Sequence, residues 1–548
     1  MSILSATSAV PVRRQPIGRA VLIGLFVLGL LLRLPGILFN GQLDLDTLIF
    51  LWGTAVKQLG LGAGFQENYG PFSFAVYGIS ASLAEQLPRF WWLPYKLIEI
   101  ALEIGLLVVL YQLLTEERKR WTLIVYWLNP WFILHGAWQG FWEGAHTLCA
   151  LLAVVVLART KQPRRAWLTV GALLMASALF KPQGLLHFLL PLAVYLIVQM
   201  ERGYWATLKW YVQGSLVMLG GATAWLVLTG GGWLSILRNY VTATTIMPNL
   251  CNGCLSVWRP ISTLLQAITG QTGPTYTLQL PTIFSTSVQL LTFGLIVYLM
   301  ILFFSRAMLV RAVSDQPTVR QLTRVLQVTG LILALAAALE WFLPAEAEKT
   351  KWLVGGVPIN YSFVVLLVLL VGLVIALAAP VWARVLYGVW QRLVRYQRWP
   401  NRPGLTPANG VYLVLATSSL LLAQLGTRSH INHTYATLIL LIPLALSNRR
   451  ALIAWAVMMG VNFYGHLATY QLGRSTILPD FFATVPTASS LVGQIQAVVK
   501  AAPMDALLQI QMDSNRVLAT LPQEPLISIL AIGQFVSALV ILKTVWDA

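Results

Sequence analysis

The run GRAVLIGLFVLGLLLRLPGIL, residues 18–38, is apolar but for two arginines. At about 1.5 Å of rise per residue it is long enough to cross the ~30 Å hydrocarbon core of a bilayer as a helix. It ends in Arg33-Leu-Pro-Gly and not in a small-residue cleavage site, so it reads as a retained first span and not as a removable signal. A polar stretch follows at once: Asn40-Gly41-Gln42-Leu43-Asp44-Leu45-Asp46-Thr47, leading through Trp52 to Glu67-Asn68-Tyr69-Gly70-Pro71-Phe72. Two carboxylates two residues apart beside a membrane span are costly and need a reason.

Similar apolar runs recur near residues 93–114, 122–137, 144–158, 167–180, 184–200, 208–229, 282–305, 325–343, 356–379, 410–426, 436–447, 451–470 and 525–543. With 57% hydrophobic and 10% charged residues, the 548-residue chain is expected to be an all-α polytopic membrane protein of about 12–14 spans, forming a single unit over residues 1–548. The runs lack the alternation of a membrane β-barrel. The net charge of +18 sits in short basic clusters between apolar runs, without the basic stripe of a nucleic-acid binder. Three cysteines exclude a disulfide scaffold. Cys149 reads as core, and the lone Cys251-Asn-Gly-Cys254 as two small loop residues or one local disulfide, not a metal site.

Placing the N-terminus in the cytoplasm and alternating sides gives an inner face with 24 Lys/Arg and 5 Asp/Glu and an outer face with 13 and 14. That asymmetry is what the positive-inside rule requires, and it predicts both termini cytoplasmic. The runs 122–137 with 144–158, and 167–180 with 184–200, are individually short, which leaves open half-buried helices lining a wet cavity in place of full crossings. Three outer segments are long: 39–92, 230–281 and 471–524, the last amphipathic around 495–517.

On this topology four polar sets share the outer side: Asp44 with Asp46; Trp138-Gln139 with Glu143 and His146; Lys181-Pro182-Gln183; and Arg428-Ser-His430-Ile-Asn-His433-Thr-Tyr435. Their common sidedness points to one shared site. Asp46 is also suited to cap a short amphipathic helix through Leu48–Trp52. Glu143 and His146, three apart, fall on one helical face where they can pair. Trp127, Trp131, Trp138 and Trp142 are expected to anchor at the membrane interface. Lys181 tops an apolar run before Pro182, as either a site cation or a snorkelling lysine. Arg428 has the planar fork that grips phosphate, and His430 and His433 can donate hydrogen bonds.

Asp44-Leu-Asp46 after the first span, Tyr69-Gly-Pro-Phe72, Asn129-Pro130, Trp138-x-x-x-x-Glu143, Lys181-Pro182 and the stretch ending at Tyr435 together resemble the GT-C superfamily of polyprenyl-phosphate-dependent glycosyltransferases. The likeness is nearest to the catalytic subunit of GPI mannosyltransferase I and to bacterial membrane mannosyltransferases, and covers roughly the first 200 residues and 425–445. The chain departs in having Trp138-Gln-Gly-Phe-Trp-Glu143 where such enzymes often have Trp-Gly-Gln-x-Asp, and Asn432-His433-Thr-Tyr435 in place of His-Glu-x-Tyr.

The resemblance implies a GT-C-like fold with a long first extracytoplasmic loop, and inverting transfer of a mannose-like hexose from a polyprenyl-phosphate donor to a lipid-linked or glycan acceptor hydroxyl. Either Asp44 or Asp46 is then the catalytic base. Arg428, Lys181, His433 and His430 are candidates for the donor phosphate, and Trp138, Gln139, Glu143, His146, Tyr69 and Gln183 for the substrate. A divalent cation (Mg or Mn) held by the Asp pair is an alternative use of those carboxylates. The expected location is a bacterial plasma membrane. The competing expectation is a transporter or flippase of lipid-linked sugars, which would show inverted repeats and polar residues at mid-membrane depth.

Overall fold

The computed structural model describes residues 18–37, 41, 45, 47–65, 69–87, 90–199, 204–243, 254–269, 282–306, 319–342, 352–354, 357–359, 361–395, 406–426, 431–470, 513–518, 521 and 526–547. Apart from one three-residue hairpin pairing Trp352–Val354 with Val357–Ile359, the regular structure there is helical. Among the described residues six helices are long and apolar enough to cross a membrane: Arg19–Ile37, Trp205–Leu228, Val319–Phe342, Pro407–Leu425, Arg449–Tyr470 and Leu526–Trp546. A seventh is counted if Ser362–Leu377 and Ala379–Gly388, bent by 72° at their junction, form one broken span. The chain is a polytopic helical protein with the make-up of a membrane protein.

Every apolar run expected from the sequence contains helix, but not every run is a crossing of standard length. Gly144–Arg159, Leu185–Val198, Leu291–Phe304 and Thr434–Ser447 are shorter apolar helices. Leu93–Leu113 has the length but carries Lys96, Glu99 and Glu103. The 122–137 run is not one helix at all: Pro130 cannot donate a backbone hydrogen bond, and Asn129 Oδ1 instead caps the next piece by accepting from Trp131 N at 3.0 Å.

Pro407–Leu425 is the centre of the bundle, with 83% of its apolar window buried, while the first helix, at 17%, lies at the edge. Where lipid replaces water, helices gain little by hiding apolar surface from each other, and close backbone approach matters more. Pro163–Phe180 accordingly crosses Trp205–Leu228 at Gly171 and Gly214, where an added Cβ would run into the opposing backbone. Breaks inside the bundle find local partners. Pro443 interrupts the helix after Leu440, and the Tyr412 hydroxyl bridges the gap, donating to Leu440 O at 2.7 Å and accepting from Leu444 N at 3.1 Å.

A buried polar chain ties three later elements together. Thr434 donates to Asn462, Asn462 to Gln534, and Gln534 to Leu255 O, at 2.6, 2.7 and 2.6 Å. This fixes the start of the 254–269 segment against the bundle. Cys254 is disulfide-bonded and Cys149 is free and buried, which leaves Cys251, outside the described residues, as the third cysteine of the chain. That agrees with a local disulfide and a core Cys149. Of the amphipathic segment expected around 495–517, only 513–518 is described, and it is helical.

Candidate functional site

The site is assembled at one end of the bundle by contacts that join helix ends distant in sequence. The first helix ends at Ile37, and its last carbonyls, which lack partners of their own in a helix, are taken up from outside. Lys96 Nζ donates to Gly36 O at 2.7 Å and to Trp138 O at 2.8 Å, and Trp92 Nε1 donates to Ile37 O at 3.0 Å. One turn deeper, Arg33 Nε meets Glu103 Oε2 at 2.5 Å, its Nη1 donates to Trp127 O at 2.8 Å, and its guanidinium stacks 3.7 Å over the Trp127 ring. Lys96, Glu99 and Glu103 lie at i, i+3 and i+7 along one helix, hence on one face, and all are fully buried. These charges pin the chain at the point where it leaves the first helix for the acidic stretch.

Asp44 and Asp46 themselves lie outside the described residues, but Gly41 and Leu45 do not. A Cβ on Gly41 would meet Gln139 O at 2.5 Å, and one on Gly140 would meet the Leu45 side chain at 3.0 Å. Gly140 also has φ +72°, a conformation glycine adopts without strain, so the Gln139-Gly140 turn accepts the acidic stretch at close range. Gln139 is fully buried there, and Tyr95 donates to Gly140 O at 3.1 Å. The helix expected after Asp46 begins at Thr47 and buries Leu48, Ile49 and Trp52.

Beyond that turn, Glu143 precedes the helix Gly144–Arg159 and forms a buried ion pair with Lys181. His146 Nδ1 lies 3.6 Å from the other Glu143 oxygen, the i,i+3 pairing expected from the spacing. Lys181 Nζ also lies 5.1 Å from the centre of the Tyr69 ring. Tyr69 is delivered by the turn before Pro71, which docks on the end of Pro163–Phe180: Gly70 N donates to Phe180 O at 3.0 Å, and Ser73 Oγ to the same oxygen at 2.6 Å. Two residues past Lys181, Gln183 Nε2 lies 2.9 Å from His433 Nε2. Four sequence-predicted segments, at 69, 139–146, 181–183 and 433, thus meet.

One alternative falls and one expectation needs correction. Lys181 is 3% exposed and ion-paired inside the protein, so it is not a snorkelling lysine. Trp127, Trp131 and Trp142 are buried side chains of the interior and do not reach an interface; only Trp138 is half-exposed. The physical cause is the broken helical path through residues 116–143, whose short pieces fold inward and pack Trp127 against Phe26, Trp131 against Phe132 and Trp142 against Tyr95. Arg428 and His430 lie outside the described residues.

Six further charged or titratable side chains, Arg33, Lys96, Glu99, Glu103, His135 and His466, are fully buried and were not expected at the site. The 96/99/103 spacing inside an apolar run was the available signal for three of them. For His135 and His466, far apart in the chain, none was available. Beside this cluster an apolar groove of about 550 Å³ runs between the first helix, the broken segment and Arg449–Tyr470, with Leu32, Trp138 and Leu467 in its walls. Among the described residues no group of three or more His, Cys, Asp or Glu could hold a metal ion. No protein family model, no curated protein and no solved structure matches the chain.

Proposed function

We propose that the chain is a membrane-embedded glycosyltransferase of the GT-C kind, moving a mannose-like hexose from a polyprenyl phosphate to an acceptor hydroxyl at the extracytoplasmic face. The observation that supports this reading most is the convergence of Tyr69, Glu143, His146, Lys181, Gln183 and His433 beside the turn that meets Gly41 and Leu45. A carboxylate-bearing stretch, a buried cation with its counter-ion and a pair of polar side chains at the end of a helix bundle suit a reaction at the membrane surface.

In the proposed reaction, Asp44 or Asp46 takes the proton of the acceptor hydroxyl as its oxygen attacks the anomeric carbon. The bond from that carbon to the phosphate oxygen breaks, and the configuration inverts. The departing polyprenyl phosphate carries the negative charge, which Lys181, Arg428, His430 and His433 are proposed to stabilise. Because Lys181 is held by Glu143, its role requires that the phosphate approach the pair, with Glu143 setting the ammonium's position. Trp138, Gln139 and Tyr69 would border the sugar, and the apolar groove would take isoprenoid chain.

Purified protein in detergent, given a radiolabelled mannosyl polyprenyl phosphate and a lipid acceptor, should form labelled product. A flippase of lipid-linked sugars would move the donor across vesicles without forming product, and that result would replace this reading.

A further inference from the structure

His135 and His466 are 331 residues apart in sequence, yet their rings lie 5.4 Å apart, and both side chains are fully buried. Neither ring nitrogen of either histidine has a hydrogen-bond partner among the described residues, and the same holds for the buried indole Nε1 of Trp131. Buried polar atoms in folded proteins are nearly always bonded, so five unpartnered nitrogens in one place call for something to bond. The surroundings are aromatic: Tyr435 stacks on His135 at 4.5 Å, Phe141 at 4.8 Å, and Tyr470 lies 5.1 Å from His466.

The chemistry of these groups restricts the ligand. A neutral imidazole donates from one nitrogen and accepts at the other, which matches a hydroxyl that both donates and accepts, and the indole adds a donor. Flat aromatic faces suit the C–H face of a sugar ring. Two imidazoles fall short of the three protein ligands a catalytic zinc site uses, and no carboxylate forms an ion pair with either among the described residues. Position adds a second, independent argument. The apolar groove is lined by Leu134 and Trp138, from the segment that carries His135, and by Phe463 and Leu467, from the helix that carries His466, so a chain lying in it runs along the two segments that hold the rings.

We propose that His135 and His466, with Trp131, form the subsite for the hydroxyls of a neutral sugar head group whose lipid chain lies in the adjoining groove. This rests on the glycosyltransferase reading above, and it names residues that the reading itself does not need. The two histidines are binding and positioning residues, not acid–base catalysts.

The test uses the full-length protein in lipid nanodiscs, with two probes: a mannosyl polyprenyl phosphate, and the same polyprenyl phosphate without its sugar. Wild type should bind the sugar-bearing lipid more tightly. His135→Phe and His466→Phe keep a flat aromatic ring, slightly larger than imidazole, but remove the nitrogens, and each should weaken that binding about three- to tenfold while leaving the bare lipid unchanged. His466→Gln, which keeps a donor and an acceptor, should recover part of the loss. If both Phe variants keep the full preference while wild type binds and transfers sugar, the subsite is overturned and the enzyme reading stands. Equal weakening toward both probes would mean a merely structural pair and would also overturn it. If wild type neither binds the donor nor transfers, the enzyme reading fails first and the subsite with it.

Discussion

Breaking the Arg33–Glu103 pair is expected to show how the acidic stretch is held. Both side chains are fully buried, and Arg33 is held by Glu103 at 2.5 Å, by Trp127 O at 2.8 Å and by Gly29 O at 3.0 Å. Arg33→Met leaves a buried carboxylate without its cation, and Glu103→Met leaves a buried guanidinium without its anion. Each is expected to cost about 3–5 kcal/mol, because the remaining charge keeps its desolvation penalty and loses its compensation. The double variant Arg33→Met/Glu103→Met removes both charges. What it loses is chiefly the hydrogen bond to Trp127 O and the stacking on that ring, about 1–3 kcal/mol. The coupling energy between the two sites should therefore be at least about 3 kcal/mol, well above the few tenths expected of independent sites. Unfolding in mixed micelles of rising dodecyl sulfate fraction, followed by tryptophan fluorescence, gives the four stabilities of the cycle. Additive single effects would show that the pair is not coupled and that the first helix is held by packing alone.

Three further expectations concern the site and the bundle that holds it. Lys181→Met leaves Glu143 buried without its ammonium partner, with only the His146 ring beside it, and should cut sugar transfer at least a hundredfold, whereas Lys181→Met/Glu143→Gln should regain stability without regaining transfer; thermal stability and turnover measured side by side check both halves. Gly140→Ala puts a methyl 3.0 Å from Leu45 at φ +72° and should lower stability by about 1–2 kcal/mol and transfer by more than that stability loss explains; a normal turnover number in the folded fraction would count against it. Cys254→Ser should lower thermal stability by about 2 kcal/mol and remove the sensitivity of the wild type to reductant, read from melting curves with and without dithiothreitol.

The helical class could be read from the apolar runs because their length and composition alone determine it. Whether a run is one crossing could not, since that depends on single residues: Pro130 with Asn129 divides 122–137, and the junction before Ala379 bends the helical path by 72°. Averaging over a window also hid Lys96, Glu99 and Glu103, three charges in a 21-residue apolar helix. At the site, Glu143 with His146 was visible as a local spacing. The Glu143–Lys181 pair and the His135–His466 pair were not, because nothing local links residues 38 or 331 positions apart. That Tyr69, Glu143, Lys181, Gln183 and His433 come close together was nonetheless expected, because they occupy helix ends where the chain had to turn.

The central claim, a carboxylate base in the stretch after the first helix, is tested most directly by sugar transfer from mannosyl polyprenyl phosphate with Asp44→Asn and Asp46→Asn in folded, donor-binding protein. Loss of transfer by a factor of about 10² or more in at least one of them, with donor binding retained, is the predicted result. Wild-type rates in both would contradict it.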